Sequence, residues 1–424
     1  MSRRSLHARP TSGRSIDSFA SLRIETYRTL FTIGALGFLA TQSQVIARGW
    51  LANGLADSNT GLGGVFMAFG VPMLLATPVA GVAADRYPKR LILVATFAML
   101  AASSLWIAVA VSTDTVAYWM LLATSAIQAV AFSFMVPARM ALTVEVVGRD
   151  LLSNAVALGQ MSMNSARVVG PALAGLFIGV SWIGVGGVYY AAAALSSIAV
   201  VGSSRLPAGH PSPGRPERSV RREFADGLSY VWTFRPVAHL LVVSFVVVMI
   251  GFPFMAFLPR FATEDLHVGS SGYGLLAAVS AVGAVALSFA IAGRAEGRSA
   301  WRIQSAAGLT FGVGLMLLAI SPGYLAAAAA VACVGAASTG FQAMNNTLVL
   351  ALSDLEFHGR VQSLMMLSFS GFGMAALPLG MLADAIGLRE TIAVMGAVVI
   401  AAVLVHRSTT DRPVASPTDV DISI

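Results

Sequence analysis

Charge is scarce in this sequence. Asp, Glu, Lys and Arg make up 11% of 424 residues, against 56% hydrophobic, and mean hydropathy is +0.77. A water-soluble globule is excluded by that balance. Cysteine occurs once, as Cys333 inside an apolar run, which leaves no disulfide framework and no cysteine metal cluster; it reads as a small buried side chain. No glycine-rich phosphate cradle is present, which argues against an ATP-driven motor. His7, His210, His239, His267, His358 and His406 are scattered at or near polar segments. An intramembrane enzyme would need a paired nucleophile and base or a metal cluster, so neither catalysis nor a cofactor is expected. A net charge of +7 would suggest nucleic acid in a soluble protein, but here the basic residues sit in loops, where they set orientation instead.

What is present is a series of twelve apolar segments, at 30–53, 62–83, 91–111, 116–139, 151–179, 182–203, 237–259, 272–292, 301–320, 324–350, 361–383 and 390–406. Each is long enough to cross a hydrocarbon core of about 30 Å as a helix. Helices are required because backbone groups find no water partner in lipid. An Arg-rich tail, residues 1–29, precedes the first segment and includes a short amphipathic entry helix from Ser21. That segment is too long for a signal-peptide core, so retention is expected. Residues 205–236 begin as a Pro-rich linker and continue, over 220–232, as a helical pattern with Phe224, Leu228, Val231 and Trp232 on one face, suited to the membrane interface. The expected organisation is therefore an all-α membrane protein with a tail (1–29), a six-helix bundle (30–204), a linker (205–236), a second six-helix bundle (237–406) and a tail (407–424). With the N-terminus inside, all but four of the 27 Lys and Arg fall on the inner side, the exceptions being Arg48, Arg260, Arg389 and the intramembrane Arg167. Such a bias predicts both termini in the cytoplasm of a cell-membrane protein.

One charged cluster stands out against this apolar background, Gly81-Val-Ala-Ala-Asp85-Arg86-Tyr-Pro88-Lys89-Arg90, which contains the only lysine. Its charges would cost several kcal/mol in hydrocarbon, so the turn must lie at a water face. The spacing resembles the signature loop between spans two and three of the major facilitator superfamily, with Pro88 where that family usually has Gly. The two halves also look like weak copies. Glu145 precedes Gly148-Arg149 and Glu356 precedes Gly359-Arg360, while Pro171 and Pro378 recur near the outer ends of spans five and eleven. Paired-bundle transporters repeat in this way. Further blocks, Ala47 to Leu51, Pro137 to Arg139, Ser153 to Ala157 with Ala166 to Gly175, Glu223 to Tyr230 and Gly359 to Ser363, are similar to the branch containing enterobactin exporters and macrolide efflux proteins. The resemblance implies a monomeric, alternating-access exporter of a small amphipathic molecule (a siderophore, macrolide or other drug), with protons as the coupling ion. An importer, or a non-transporting sensor or scaffold with the same fold, is the alternative.

Within that resemblance, Asp85 faces the start of span eleven and Arg86, Lys89 and Arg90 pair with neighbouring acids while the carrier is open to the outside. Gly170, Pro171 and Gly175 resemble the antiporter motif of drug exporters, although helix packing explains them about as well. The candidate cavity residues are the polar groups inside spans. Thr41, Gln44 and Arg48 form one stripe on span one, Gln128 lies on span four, Gln160, Asn164 and Arg167 on span five, and Gln342, Asn345 and Asn346 on span ten. Spans one, four, seven and ten line the cavity in the superfamily, which favours Gln44, Arg48, Gln128 and Asn345. The amides serve either helix-to-helix hydrogen bonds or substrate contact. Phe245, Met249, Phe252, Phe254, Met255 and Phe257 on span seven could hold an apolar ligand or face lipid. No Asp or Glu lies well inside a span, so the interior charge is positive and would favour an anionic or zwitterionic solute. Gly380 to Arg389 mimics the charged loop but falls on the outer side, and is expected to be chance or a residue of the repeat.

Overall fold

The computed structural model describes residues 19–180, 182–209, 234–291, 297–353 and 358–410. The N-terminal tail to residue 18, the expected interfacial helix at 220–232, the acids Asp354 and Glu356, and the end of the C-terminal tail lie outside the described residues. A short 3-10 turn, Ala20–Arg23, leads into α1 (Glu25–Leu55), followed by α2 (Asn59–Arg86), α3 (Lys89–Ser112), α4 (Tyr118–Gly179) and α5 (Gly184–Ser204). After the linker come α6 (Arg235–Asp265), α7 (Ser270–Ile291), α8 (Gly297–Ala319), α9 (Tyr324–Leu352), α10 (His358–Ile386) and α11 (Leu388–Thr410). Among the described residues the fold is all helical.

The boundaries follow local chemistry. Ser58 caps α2 by accepting a 3.0 Å hydrogen bond from the Gly61 amide. Helix α4 is two membrane-length arms divided at Gly148, whose φ of 69° and ψ of 179° leave the helical region; a positive φ suits glycine there. Gly387, at φ 107°, separates α10 from α11 in the same way. In α6 the wider turns Val247–Gly251 and Phe261–Asp265 flank Pro253 and Pro259, whose rings remove backbone donors.

Ten of these stretches are long and apolar enough, by length and composition, to cross a membrane. The two other expected spans, 151–179 and 361–383, are also helical. The first is more polar, carrying Gln160, Asn164 and Arg167, and within the second Ser370–Ile386 is an apolar helix. Both pack against helices from the other half of the chain.

Those contacts are unusually close. Gly63 and Gly70 of α2 lie against the backbone of Ala376 and Ser370 in α10, and Gly380 of α10 lies against that of Asn59 in α2. Gly175 of α4 touches Gly274 of α7, and Gly179 approaches Ser271. Small residues permit this approach because no Cβ intervenes. Both seams lie toward the end of the bundle remote from the chain termini, hereafter the far end. The largest buried apolar cluster is there too and draws on both halves, including Ile46, Leu62, Tyr189, Phe257, Tyr273 and Leu379. Toward the termini the buried clusters are confined, two to residues before 207 and one to residues after 236.

Candidate functional site

At mid-depth, α1 and the first arm of α4 bring three of the expected polar residues together. The Arg48 guanidinium donates to Gln128 Oε1, and Gln128 Nε2 donates to Gln44 Oε1. Gln44 Nε2 in turn donates to the Ala40 carbonyl at 3.2 Å. All three side chains are buried. Phe69 of α2 lies beneath the guanidinium, 6.0 Å from it to the ring centroid, and Tyr189 of α5 is buried beside it. Among the described residues no carboxylate pairs with Arg48. A buried guanidinium met by Gln128, Phe69 and Tyr189, with no carboxylate among the described residues, has part of its desolvation cost uncompensated.

The other expected residues are distributed differently. The Thr41 hydroxyl donates to the Gly37 carbonyl at 2.9 Å within its own helix. Gln160 lines a small crevice with Tyr27 and Arg139, and Arg167 is half-buried on the same arm. Asn164 is exposed. On α9, Asn345 is fully buried and accepts a 3.4 Å hydrogen bond from Gln304 of α8, leaving Asn345 Nδ2 without a partner among the described residues. Gln342 and Asn346 are half-buried. Of the aromatic set on α6, Phe254 and Phe257 are core residues, Phe252 packs edge-on against Phe311 at 5.5 Å, and Phe245 is exposed.

The seams suggest how this centre communicates with the two faces. On α2, the stripe that touches α10 at Gly63, Phe66 and Gly70 continues at helical steps through Leu74, Thr77, Gly81 and Asp85. Thr77 and Asp85 are exposed, and among the described residues a Cβ placed on Gly81 would meet nothing within 4 Å. On α4, the stripe through Gly179, Gly175 and the buried Pro171 continues through Val168 to Asn164, Met161, Ala157 and Ser153, all four exposed. Gly170 faces α1 instead, against Gln42 and Ser43. Each stripe is thus sealed at the far end and unsealed toward the termini.

Polar contacts at the ends match this asymmetry. At the far end the Asp384 carboxylate of α10 accepts from the backbone and side chain of Asn59, at 2.8 and 2.9 Å, and from those of Thr60, at 2.9 and 2.6 Å. It caps the start of α2 from another helix. Asn53 bonds Thr263 at 3.1 Å, Arg260 donates to the Asp57 carbonyl at 3.2 Å, and Trp50 stacks on Tyr273. Arg389 holds Asp265 at 2.6 Å and the carbonyls of Ala319 and Ser321. Of the two expectations for Gly380 to Arg389, chance or a residue of the repeat, chance gives way, because both of its charges anchor helix ends. At the termini end, Lys89 is buried and pairs with Glu145 at 3.2 Å, while Arg90 donates through its amide and side chain to the carbonyls of Ala208 and Leu206. Arg86 is exposed. No hydrogen bond or ion pair to the Asp85 carboxylate is found among the described residues.

Residues 16–419 match the model of a single protein family, described as transmembrane secretion effectors. The chain belongs to this family. It is a multi-pass membrane transporter of the major facilitator type. Two multidrug efflux pumps named Tap are similar to it. The protein from Mycobacterium tuberculosis is 26% identical over 76% of this chain and 78% of its own length, and that from Mycolicibacterium fortuitum is 26% identical over 77% and 81%. Among solved structures, a bacterial homologue of the lysosomal transporter Spinster, described as inward-facing and unoccupied, aligns with a TM-score of 0.69 at 16% identity, covering 91% of this transporter and 97% of that chain. The nucleoside transporter NupG aligns with a TM-score of 0.69 at 12% identity, over 90% and 98%. Both likenesses show the shared fold.

Sequence reasoning missed Tyr189, Phe69 and Gln304. Nothing in the spacing of Tyr189 within the small-residue stretch of α5 links it to Arg48, 141 positions earlier.

Proposed function

We propose that this transporter exports amphipathic molecules bearing an acidic or zwitterionic group, by rocking of two six-helix halves, 30–204 and 237–406. Both termini lie in the cytoplasm and the proton gradient supplies the energy. The carrying observation is the pair of stripes on α2 and α4, sealed at the far end and unsealed toward the termini, with an acid-free Arg48 between them. On this reading the described state is open to the cytoplasm, ready to receive cargo. The efflux activity named for the Tap proteins supports the direction. The inward-facing state of the Spinster homologue supports the assignment of the open end.

Two carboxylates then act in turn on the same pair of helices. Asp384, at the end of α10, holds the start of α2 while the outer side is closed. Asp85, at the end of α2, engages the start of α10 once the inner side closes, with Gly81 admitting the approach. Each such contact at an exposed helix end contributes about 0.3 to 1 kcal/mol. Energies of that size can bias a rocking equilibrium without locking it.

The test is accumulation of a labelled siderophore, a macrolide and an organic cation in cells with and without the protein, repeated after collapse of the proton gradient. Lower accumulation of the acidic or zwitterionic probes, abolished by uncoupler, is expected. Equal accumulation of all three in both cell types, with the protein present in the membrane, would remove the exporter reading.

A further inference from the structure

On the flank of the first six helices, α1 and α5 leave a groove of about 560 Å³ at the termini end. Its floor is the contact between Gly202 and Ile33, so close that a Cβ on Gly202 would strike the Ile33 side chain. The walls carry one guanidinium each, Arg28 from the first turns of α1 and Arg205 from the residue capping α5. Both are exposed, and neither side chain has an ion pair or hydrogen bond among the described residues. The hydroxyls of Thr29 and Thr32 are spent on the carbonyls of Glu25 and Arg28 in their own helix. Beyond the two arginines the lining turns apolar, with Leu36, Ile198 and Val201, the last two 55% and 53% exposed.

This is one elongated surface, cationic at its mouth and apolar along its length. Its apolar stretch runs at the depth of a bilayer, and its mouth lies beside the interfacial ends of both helices. A soluble anion would match the arginines and leave the apolar stretch uncovered. A neutral acyl chain would do the reverse. A phospholipid with net negative charge satisfies both, because two guanidiniums can bracket a phosphate through forked hydrogen bonds. A zwitterionic headgroup brings its own cation to the same place and gains less.

We propose that the groove between α1 and α5 binds one anionic phospholipid, its phosphate between Arg28 and Arg205 and an acyl chain along Leu36, Ile198 and Val201. The assignment to the cytoplasmic leaflet rests on the orientation proposed above; the binding itself does not. Both walls belong to the first six helices, so the lipid stays bound as the halves rock. It tethers that half to one leaflet.

The experiment is lipid retention by full-length protein in symmetric nanodiscs made with a minor fraction of phosphatidylglycerol in phosphatidylcholine, read by native mass spectrometry. One retained phosphatidylglycerol per chain is expected, enriched on the order of tenfold over the bulk. The double variant Arg28→Gln/Arg205→Gln should lose that enrichment, and Arg28→Lys/Arg205→Lys should keep most of it. Ile198→Trp, which fills the groove with both arginines intact, provides a variant that leaves the charges in place and should also lose it. Equal enrichment in wild type, the double Gln variant and Ile198→Trp overturns the proposal. So does displacement of the lipid by inorganic phosphate at constant ionic strength, enrichment that appears only after excision of residues 210–233, or dimerisation through this face without retained lipid. Asymmetric vesicles with phosphatidylglycerol in one leaflet then report orientation separately, since retention from the wrong leaflet would contradict the topology and leave the site intact.

Discussion

On the proposed function, Arg48 is the residue on which substrate chemistry turns. It is buried, its fork is only partly occupied by Gln128, and no acid balances it among the described residues. Arg48→Gln keeps polarity and removes charge. It is expected to lower flux of an acidic substrate by about tenfold or more in vesicles while membrane levels stay near wild type, and Arg48→Lys should recover only part, because an ammonium cannot reproduce the fork. Unchanged flux in Arg48→Gln would place the anion elsewhere. The stripe of Thr41, Gln44 and Arg48 was legible because offsets of three and four fall on one helical face. Its connection to Gln128 was only partly so, since the sequence showed a polar residue on the right span but not the bond. Tyr189 and Gln304 were illegible, because each acquires its meaning from a partner on another helix. The anchoring contacts of Asp384 were illegible for a related reason. Topology separates it from the Asp85 loop, and only the packing of α2 on α10 reveals that α10 ends beside the beginning of α2.

At the scale of the helix, α2 is a single ridge used twice. Gly70 already touches α10, where an added Cβ would come within 2.7 Å of the Ser370 carbonyl oxygen, whereas Gly81 meets nothing within 4 Å among the described residues. Gly70→Leu should therefore disrupt the far-end seal and lower thermal stability. Gly81→Leu should leave stability near wild type and yet block transport, by obstructing closure at the other end. A Gly81→Leu protein that transports normally would show that this part of α2 never meets a partner. Asp384→Ala bears on the same helix pair. It strips the start of α2 of its cap, and labelling of a cysteine introduced at Asn53, in a Cys333→Ala background, should rise several-fold as the far end opens more often. The glycine seam had a faint signature in the sequence. Gly63 and Gly70, and Gly373 and Gly380, are each seven residues apart, about two helical turns, which keeps both on one face. Two such pairs in separate spans do not say that they meet, and that pairing is what the fold adds.

The whole molecule was the most legible level. Twelve apolar runs with an all-α fold follow from hydropathy and from the need to pair every backbone group in lipid. One of those runs, 151–179, carries Gln160, Asn164 and Arg167 within its length, and it packs against the other half of the chain. The state of the cleft could not be read at all, since one sequence must support both ends of the cycle and differences of a few kcal/mol separate them. That requirement yields a direct test. Asn53 and Thr263 hydrogen-bond at 3.1 Å across the far end, so cysteines at these positions, with Cys333→Ala removing the native thiol, should be bridged readily by a short thiol-reactive crosslinker. If cargo leaves through the far end, complete crosslinking must stop transport while substrate binding from the termini side persists. A cleavable linker should restore flux when cut. Full transport with the bridge intact would mean that the far end never parts, and an alternating carrier could not then be built from these two halves.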